Sequence, residues 1–370
     1  MKIETFKIND FRNIKEIYLP KGEISNFNIF IGNNGQGKTN ILEALYILSM
    51  QNSFRTSNYN HLINYDREGF RIRAEYNIDY REFEIELKYQ KNKKKEVYIN
   101  RKKASKKHPY CPKVVLFTPD DLYLIKGSPV KRRNFIDSIL KQLSNEYAYF
   151  IEEYGKIIKK RNFLLKKGQS ESKAFSILNQ ILVENGTQII LHRINFINIL
   201  EKTAAEIFQE INQDESKIKI KYALSFPIEN DKINTAVLKE KFDIELKKIK
   251  EKEIIRKTTL IGPHLDDINF YYDNKLARSF ASQGQQRNMV IALKLAEIHA
   301  FYKVKGFFPV FLLDEVLSEL DQERKILLLR YLEKSDFQTF LTSVKAEENI
   351  FEKANLFYIE NGSITRKGQS

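Results

Sequence analysis

The amino-acid sequence predicts an α/β protein: a partly parallel sheet takes strands from both ends of the chain, a β-rich lobe lies beside it, and a mostly helical insertion separates the ends. Three observations carry this. The apolar run Phe27 to Ile31 leads through the octet Gly32-Asn33-Asn34-Gly35-Gln36-Gly37-Lys38-Thr39 into the amphipathic stretch Ile41 to Leu48, which is the order strand, loop, helix. From Ile268 the chain reads strand (268–272), helix (282–302), strand (307–313), helix (321–332) and strand (339–341), a βαβ succession. Between these ends, from Ser128 to about Gln213, apolar residues recur at three- and four-residue intervals.

Residues 2–100 read mostly as short strands, apart from the helix after the octet. Ile3 to Ile8 partly alternates, and Phe70 to Gln90 alternates through Ile72, Ala74, Tyr76 and Ile78, then Phe83, Ile85 and Leu87. Glu96 to Ile99 lies between the basic flanks Lys91–Lys95 and Arg101–Lys107, a hairpin that suits either plain solvation or contact with a polyanion. Ser128-Pro129 opens a helix, Ser as cap and Pro in the first turn, where its missing N–H costs nothing. Phe135, Ile139 and Leu140, then Leu178, Ile181 and Leu182, then Ile189, Ile190, Ile194 and Ile197 continue the helical spacing. Ile218 to Phe226 keeps a period of two as a strand, Ile233 to Lys257 reads as a charged helix, and Thr258 to Ile261 as a returning strand. No heptads are sustained as a long coiled coil requires, so any projecting arm is expected to be short.

A length of 370 with 42% apolar residues allows two domains, or one with a large insertion, and a sizeable core. No apolar run approaches the roughly 18 residues of a membrane span, and Met1 to Thr5 lacks the apolar segment of a signal peptide, so a soluble cytoplasmic protein without a membrane partner is expected. The single cysteine, Cys111, excludes an internal disulfide and reads as packing beside Pro112; the 5 histidines form no zinc-like spacing. Sixty-two Lys and Arg against 48 Asp and Glu leave a net charge of +14, which draws polyanions such as DNA. A chain rich in Lys, Ile and Asn also fits an AT-biased genome, so charge alone leaves both readings open.

The chemistry concentrates in two places. The octet matches G-x-x-x-x-G-K-[ST], a loop whose backbone N–H groups can close around a polyphosphate while the following helix aims its positive end at the same anion. Lys38 would reach the β- and γ-phosphates of ATP, and Thr39 would hold Mg²⁺. Phe311-Leu312-Leu313-Asp314-Glu315 is a buried strand ending in two carboxylates, the Walker B arrangement. Asp314 would help hold Mg²⁺, because a hard cation prefers oxygen ligands, and Glu315 would polarise an attacking water. Arg12 and Arg55 are candidates for nucleotide phosphate contact. Arg132 and Arg133 suit either DNA phosphate or acidic neighbours, and His264 either a general base or a turn after Gly262-Pro263.

Between the two motifs, Ser282-Gln283-Gly284-Gln285-Gln286 resembles the Ser-Gly-Gly-Gln signature loop of ABC-type ATPases, with Gln283 replacing the first glycine; an ordinary capped helix start is the alternative. In that superfamily the loop meets the γ-phosphate held by a second protomer. Ser318-Glu319-Leu320-Asp321 resembles the D-loop, which crosses the same interface. Lys38 and Asp314 are 276 positions apart, too far for a transporter nucleotide-binding domain and too near for a full SMC protein. That spacing resembles the RecF family of bacterial recombination mediators. So do Asp10-Phe11-Arg12-Asn13, Asn52 to Thr56, Phe117 to Leu122, Lys126 to Pro129 with Arg132-Arg133, Gly262 to Asp267, and Ser282 to Arg287, which together cover nearly the whole chain.

The resemblance implies an ABC-type P-loop ATPase head (residues 1–127 and 258–370, domain I) with a mostly helical arm insertion (residues 128–257, domain II). It further implies an ATP-dependent homodimer, weak DNA-stimulated ATPase activity, binding to gapped and duplex DNA at junctions, and partnership with RecR, with RecO and RecA following in the same process. The chain departs from the pattern at Leu265, where the family carries Arg, and at Thr342-Ser343, where related ATPases carry a switch histidine; γ-phosphate sensing by a hydroxyl is expected there. No glutamine is assigned as a Q-loop. The competing function is the head of an ATP-dependent nuclease or defence-type ABC ATPase, which needs a metal-binding module that the roughly 55 residues after Glu315 leave no room for. A scaffold with a degenerate site is disfavoured by Lys38, Thr39, Asp314 and Glu315 standing together.

Overall fold

Two periodicities in the chain become two kinds of sheet. The computed structural model describes residues 1–105, 108–212, 216–228, 234–345 and 354–365, so Lys106, Lys107, Gln213 and Ile233 lie outside the described residues. The chain divides into two compact units, residues 1–122 with 297–370, and residues 123–296. The second unit contains the whole of residues 128–257 and also Ser282–Gln286, and its boundary at 296/297 lies inside the helix Gln283–Lys305.

In the first unit, strands that alternate form an antiparallel sheet in the order Ile14–Leu19, Lys2–Phe11, Gly69–Ile78, Arg81–Gln90, Glu96–Ile99, Lys102–Lys103. Register places Phe6 opposite Ala74, Ile8 opposite Ile72, and Ile72 opposite Leu87, so one face is continuously apolar. The 69–78 and 81–90 strands join through Asp79-Tyr80, both left-handed, as a two-residue hairpin turn demands.

Runs without alternation form the second sheet of this unit. Its order is Ser363–Thr365, Asn355–Glu360, Phe27–Ile31, Thr339–Ser343, Val310–Leu313, Val114–Phe117, parallel throughout except for the first pair. All of Phe27–Ile31 and all of Val310–Leu313 are buried, as strands covered on both faces must be. The helix Lys38–Met50 buries Ile41, Leu42, Leu45 and Leu48 in the core that the antiparallel sheet also lines. Strands 114–117 and 355–360 carry no sequence signal beyond short apolar runs. Cys111 is buried just ahead of the 114–117 strand, in the core cluster of this unit.

The second unit holds the helices Pro129–Leu143, Asn145–Lys166, Lys173–Asn212, Thr235–Lys248 and Lys250–Arg256. Ser128 caps the first by accepting from the Lys131 N–H, with Pro129 behind it. Lys173–Asn212 is 40 residues long, roughly 60 Å at 1.5 Å per residue. The single helix expected over 233–257 is two, parted at Ile249, whose φ of −95° and ψ of 4° leave the helical region.

Two strand expectations fail here. Thr258–Ile261 is not a strand: Asn162 Oδ1 accepts from both the Thr259 N–H (2.8 Å) and its hydroxyl (2.7 Å), and Glu253 accepts from the Leu260 N–H (2.9 Å), so side chains satisfy donors that a ladder would need. Strand Asp267–Tyr272 does not enter the parallel sheet. It pairs antiparallel with Ile218–Ala223 and Lys275–Leu276, matching Ile268 with Tyr222 and Phe270 with Ile220.

The loop Gly262–Asp267 sits in a buried polar network. Arg193 makes a two-pronged pair with Asp137 (2.9 Å each) and donates to the Pro263 carbonyl (2.6 Å), and Tyr222 donates to Asp266 (2.7 Å). His264 meets the Tyr154 hydroxyl at 3.0 Å, the turn reading rather than the general-base one. Burial holds its imidazole down at about 4, below the ordinary 6.5. The folded chain therefore refuses a proton that the unfolded chain takes up, and stability falls as pH drops from about 6.5 to 4, with no further loss from this group below that. We expect a decline of about 2–3 kcal/mol across the window in urea unfolding, and a flatter profile in His264→Gln. Identical pH slopes for the two chains would contradict this.

Candidate nucleotide site

The octet turns the chain from the Phe27–Ile31 strand into the Lys38–Met50 helix at the carboxyl end of the parallel sheet, where ligands of such sheets bind. Two of its glycines are dictated by geometry. Gly37 has φ +112° and caps the helix with no side-chain bond, which leaves the first N–H groups for an anion. Gly32 lies so near the 355–360 strand that a Cβ would stand 2.4 Å from the Ile359 carbonyl oxygen. Lys38 Nζ donates to the carbonyls of Gly32 (2.7 Å) and Asn33 (2.9 Å), arching over the loop; burial lowers its ammonium from the ordinary range, and Glu315 and Asp314 oppose that.

Folding brings the two motifs into contact. The Thr39 hydroxyl donates to Asp314 Oδ1 at 2.9 Å, joining residues 275 positions apart. Burial pushes the Asp314 carboxyl up from the ordinary aspartate range while the Thr39 and Thr342 hydroxyls pull it back. Glu315 follows in a left-handed conformation, φ +53°, and borders a cavity of about 250 Å³ with Asn34, Ser318 and Lys325. A hydroxyl of Thr342-Ser343 was expected to sense a γ-phosphate. The Thr342 hydroxyl donates to Asp314 Oδ1 (3.0 Å) and accepts from the Glu315 N–H (2.8 Å), because the strand 339–343 runs between those carrying the two motifs.

The four candidate arginines each have a partner within the fold. Arg12 grips the fully buried Glu43 of the octet helix with Nε (3.0 Å) and Nη2 (2.9 Å), and Arg55 donates to Asn40 (2.7 Å) while standing 3.5 Å from Glu43. Both therefore brace the helix; Arg55 keeps 44% of its side chain exposed. Arg132 is not a DNA contact: it is buried and paired with Asp267 at 2.8 Å through both Nε and Nη2. Arg133 is half-buried and donates to the Asp266 carbonyl (2.6 Å). Acidic and carbonyl neighbours in the helical unit, rather than solvent, determine these two.

Two residues escaped the sequence reading. Glu43 is an acid within Ile41-Leu42-Glu43-Ala44-Leu45, and a carboxylate on a buried helical face was the available signal. Asn13 donates to the carbonyls of Gln36 (3.2 Å) and Gly35 (3.4 Å) and accepts from Asn40 (2.8 Å). Gly362 packs directly against the Asn13 backbone, and Gln36 accepts from the N–H groups of Asn361 (2.6 Å) and Gly362 (2.9 Å). Two adjoining turns thus hold the octet, and the Gln36 side chain is committed to one of them.

In the helical unit, Ser282 and Gln285 form a reciprocal cap, with Gln285 N–H donating to Ser282 Oγ (3.2 Å) and Ser282 N–H to Gln285 Oε1 (2.8 Å). Gln286 is buried and donates to the carbonyls of Ala277 and Ala281, while Ser282 and Gln283 remain exposed. Of the expected D-loop, Ser318 donates to the Glu315 carbonyl (2.6 Å), and Asp321 caps the helix Gln322–Glu333 by accepting from the Arg324 N–H (3.0 Å).

A P-loop leading from one parallel strand, paired acids ending another, and an intervening helical unit define the head of an ABC-type ATPase of the SMC-like class. An Smc head domain from Pyrococcus furiosus shares the fold at TM-score 0.55 and 16% identity, over 98% of this chain and 95% of that one. The chain belongs to the RecF family of DNA replication and repair proteins. The profile of the family described as RecF/RecN/SMC N terminal domain matches residues 2–362. The DNA replication and repair protein RecF of Bacillus thuringiensis (strain Al Hakam) is 36% identical over 373 aligned residues, covering 98% of each chain. A solved structure described as the recombination mediator protein RecF-ATP in the RecFOR pathway superposes at TM-score 0.87 with 31% identity, over 99% of this chain and 97% of that one. Among the described residues no helix is long and apolar enough to cross a membrane.

Proposed function

We propose that the chain is an ATP-dependent DNA clamp of recombinational repair and replication restart. The observation that carries the reading is the 2.9 Å contact between Thr39 and Asp314, which joins a phosphate-binding loop to a carboxylate pair. Lys38 and the free N–H groups of the helix start bind the β- and γ-phosphates of ATP, exchanging the loop carbonyls of Gly32 and Asn33 for phosphate oxygens. Thr39 and Asp314 offer hard oxygen donors side by side, the donor set that suits Mg²⁺, and they would hold it. When bound, that cation would neutralise charge on the transferred phosphoryl group. Glu315 accepts a proton from the attacking water.

Ser282–Gln286 and the Ser318–Asp321 turn meet the nucleotide of a second copy, so ATP acts as a dimerisation ligand, and hydrolysis, slow and DNA-stimulated, releases the dimer and its grip on DNA. The clamp binds gapped and duplex DNA at junctions, works with RecR, and with RecO helps load RecA, in the cytoplasm at the nucleoid. An open cleft of about 740 Å³ supports a DNA face on the first unit: Arg55, Lys93 and Lys95 line it, and no carboxylate does.

The test is binding of gapped, duplex and single-stranded DNA with and without ATP across a salt series. We expect ATP to tighten the gapped and duplex complexes at least about tenfold at the same salt, whereas the attraction shown by any chain of charge +14 depends on salt and ignores ATP. ATP-independent binding with a common salt slope for all three DNAs would sink the clamp.

A further inference from the structure

Asp314 and Glu315 are held from both sides by the neighbouring strands. On one side the Asp314 N–H donates to the Phe117 carbonyl at 2.9 Å, ending the ladder with the 114–117 strand. On the other side the Glu315 N–H goes to a side chain, the Thr342 hydroxyl. Val310–Leu313 pairs with Thr339–Leu341, and past Leu313 the chain bends out of the sheet, with Glu315 in the left-handed region. Such a conformation is unfavourable for a residue with a Cβ and persists only where surrounding bonds over-determine it. Ser318 holds the Glu315 carbonyl, and one atom of Thr342 holds the Glu315 N–H together with Asp314. Thr342 Oγ1 accepts from the Glu315 N–H (2.8 Å), and its own proton goes to Asp314 Oδ1 (3.0 Å). Thr342 is 1% exposed, so neither bond is readily exchanged for water.

We infer that Thr342 is a positioning residue for hydrolysis, one hydroxyl fixing both the rotamer of the Asp314 carboxylate and the backbone turn that presents Glu315. The inference rests on the ATPase reading above and adds a residue to it. Asp314 Oδ1 already receives the Thr39 hydroxyl, so Oδ1 is occupied twice by threonines from two different elements, and the carboxylate plane is determined. Among the described residues nothing donates to Oδ2, so the locked plane orients that oxygen in a definite direction. The effect is specific to a donor-acceptor group. Valine has the same shape and neither capacity; serine keeps both.

The experiment compares Thr342→Val, Thr342→Ser and the unmodified full chain. Three readouts are taken: thermal unfolding, affinity for a fluorescent ATP analogue as Mg²⁺ is varied, and steady-state phosphate release with DNA. For Thr342→Val we expect cooperative unfolding, analogue affinity within about threefold at saturating Mg²⁺, a Mg²⁺ requirement for that binding raised about five- to tenfold, and kcat lowered about 10- to 100-fold with KM little changed. Thr342→Ser should restore kcat and the Mg²⁺ requirement to within about threefold. A merely structural role would lower stability in both variants without moving the Mg²⁺ dependence. Wild-type kcat and Mg²⁺ dependence in Thr342→Val, or failure of the folded serine variant to rescue, overturns the inference and leaves the ATPase reading intact. If the unmodified chain hydrolyses no ATP, the ATPase reading fails, and the Mg²⁺ dependence of analogue binding still decides for or against Thr342.

Discussion

Glu315→Gln is expected to bind ATP about as well as the unmodified chain and to hydrolyse it at least about 100-fold more slowly, so that an ATP-bound dimer accumulates. The amide keeps the size and the left-handed backbone of Glu315 but cannot take a proton from water. Lys38→Met should do the opposite: a cation that bridges Gly32 and Asn33 is replaced by an uncharged chain of similar length, and nucleotide-driven dimerisation is lost. Sedimentation with ATP, read beside phosphate release, separates the two variants. Equal monomer content in both would dismiss ATP as the dimerisation ligand, whatever the hydrolysis rates.

Arg193→Met is expected to cost about 3–5 kcal/mol of stability in urea unfolding, the largest loss from any single change considered. Arg193 is almost wholly buried and bonds Asp137, the Pro263 carbonyl and the hydroxyls of Tyr147 (3.2 Å) and Tyr222 (3.0 Å). Removing it takes away both guanidinium bonds of the buried Asp137 carboxylate and leaves the Tyr147 hydroxyl (2.5 Å) and the more distant Arg133 charge. The double variant with Asp137→Leu should recover part of the loss, because the penalty lies in the stranded charge rather than in the missing attraction. A loss under about 1 kcal/mol in Arg193→Met, or no recovery in the double variant, would refute this account. The network also places the Gly262–Asp267 loop, whose carbonyls and carboxylates hold Arg132, Arg133 and Arg193.

These arginines show where sequence reasoning reaches its limit. A run such as Arg132-Arg133 looks alike whether it faces DNA or an aspartate, because the partner, Asp267, is 135 positions away. Arg12 and Arg55 were candidates for nucleotide phosphate contact, and no local pattern records that the buried Glu43 pairs with both. Strand Asp267–Tyr272 was assigned to the parallel sheet from the order of elements alone. Its pairing with Ile218–Ala223 depends on matching apolar faces across a helical stretch, which no local pattern records.

By itself the sequence determined the strand, loop and helix around Gly32–Thr39, the buried run ending in Asp314-Glu315, and the membership of a family built on both. These are local facts: glycines where φ is positive or space is absent, an apolar run where both sheet faces are covered, and acids where a strand stops. Tertiary structure alone decided that Thr39 touches Asp314, that Thr342 bonds both Asp314 and Glu315, and that Asn13 and the Asn361-Gly362 turn hold the loop. The reason is that a hydroxyl or an amide has no preferred partner in sequence. Its partner is whichever donor or acceptor the sheet order sets within about 3 Å, and sheet order is fixed by packing over the whole chain.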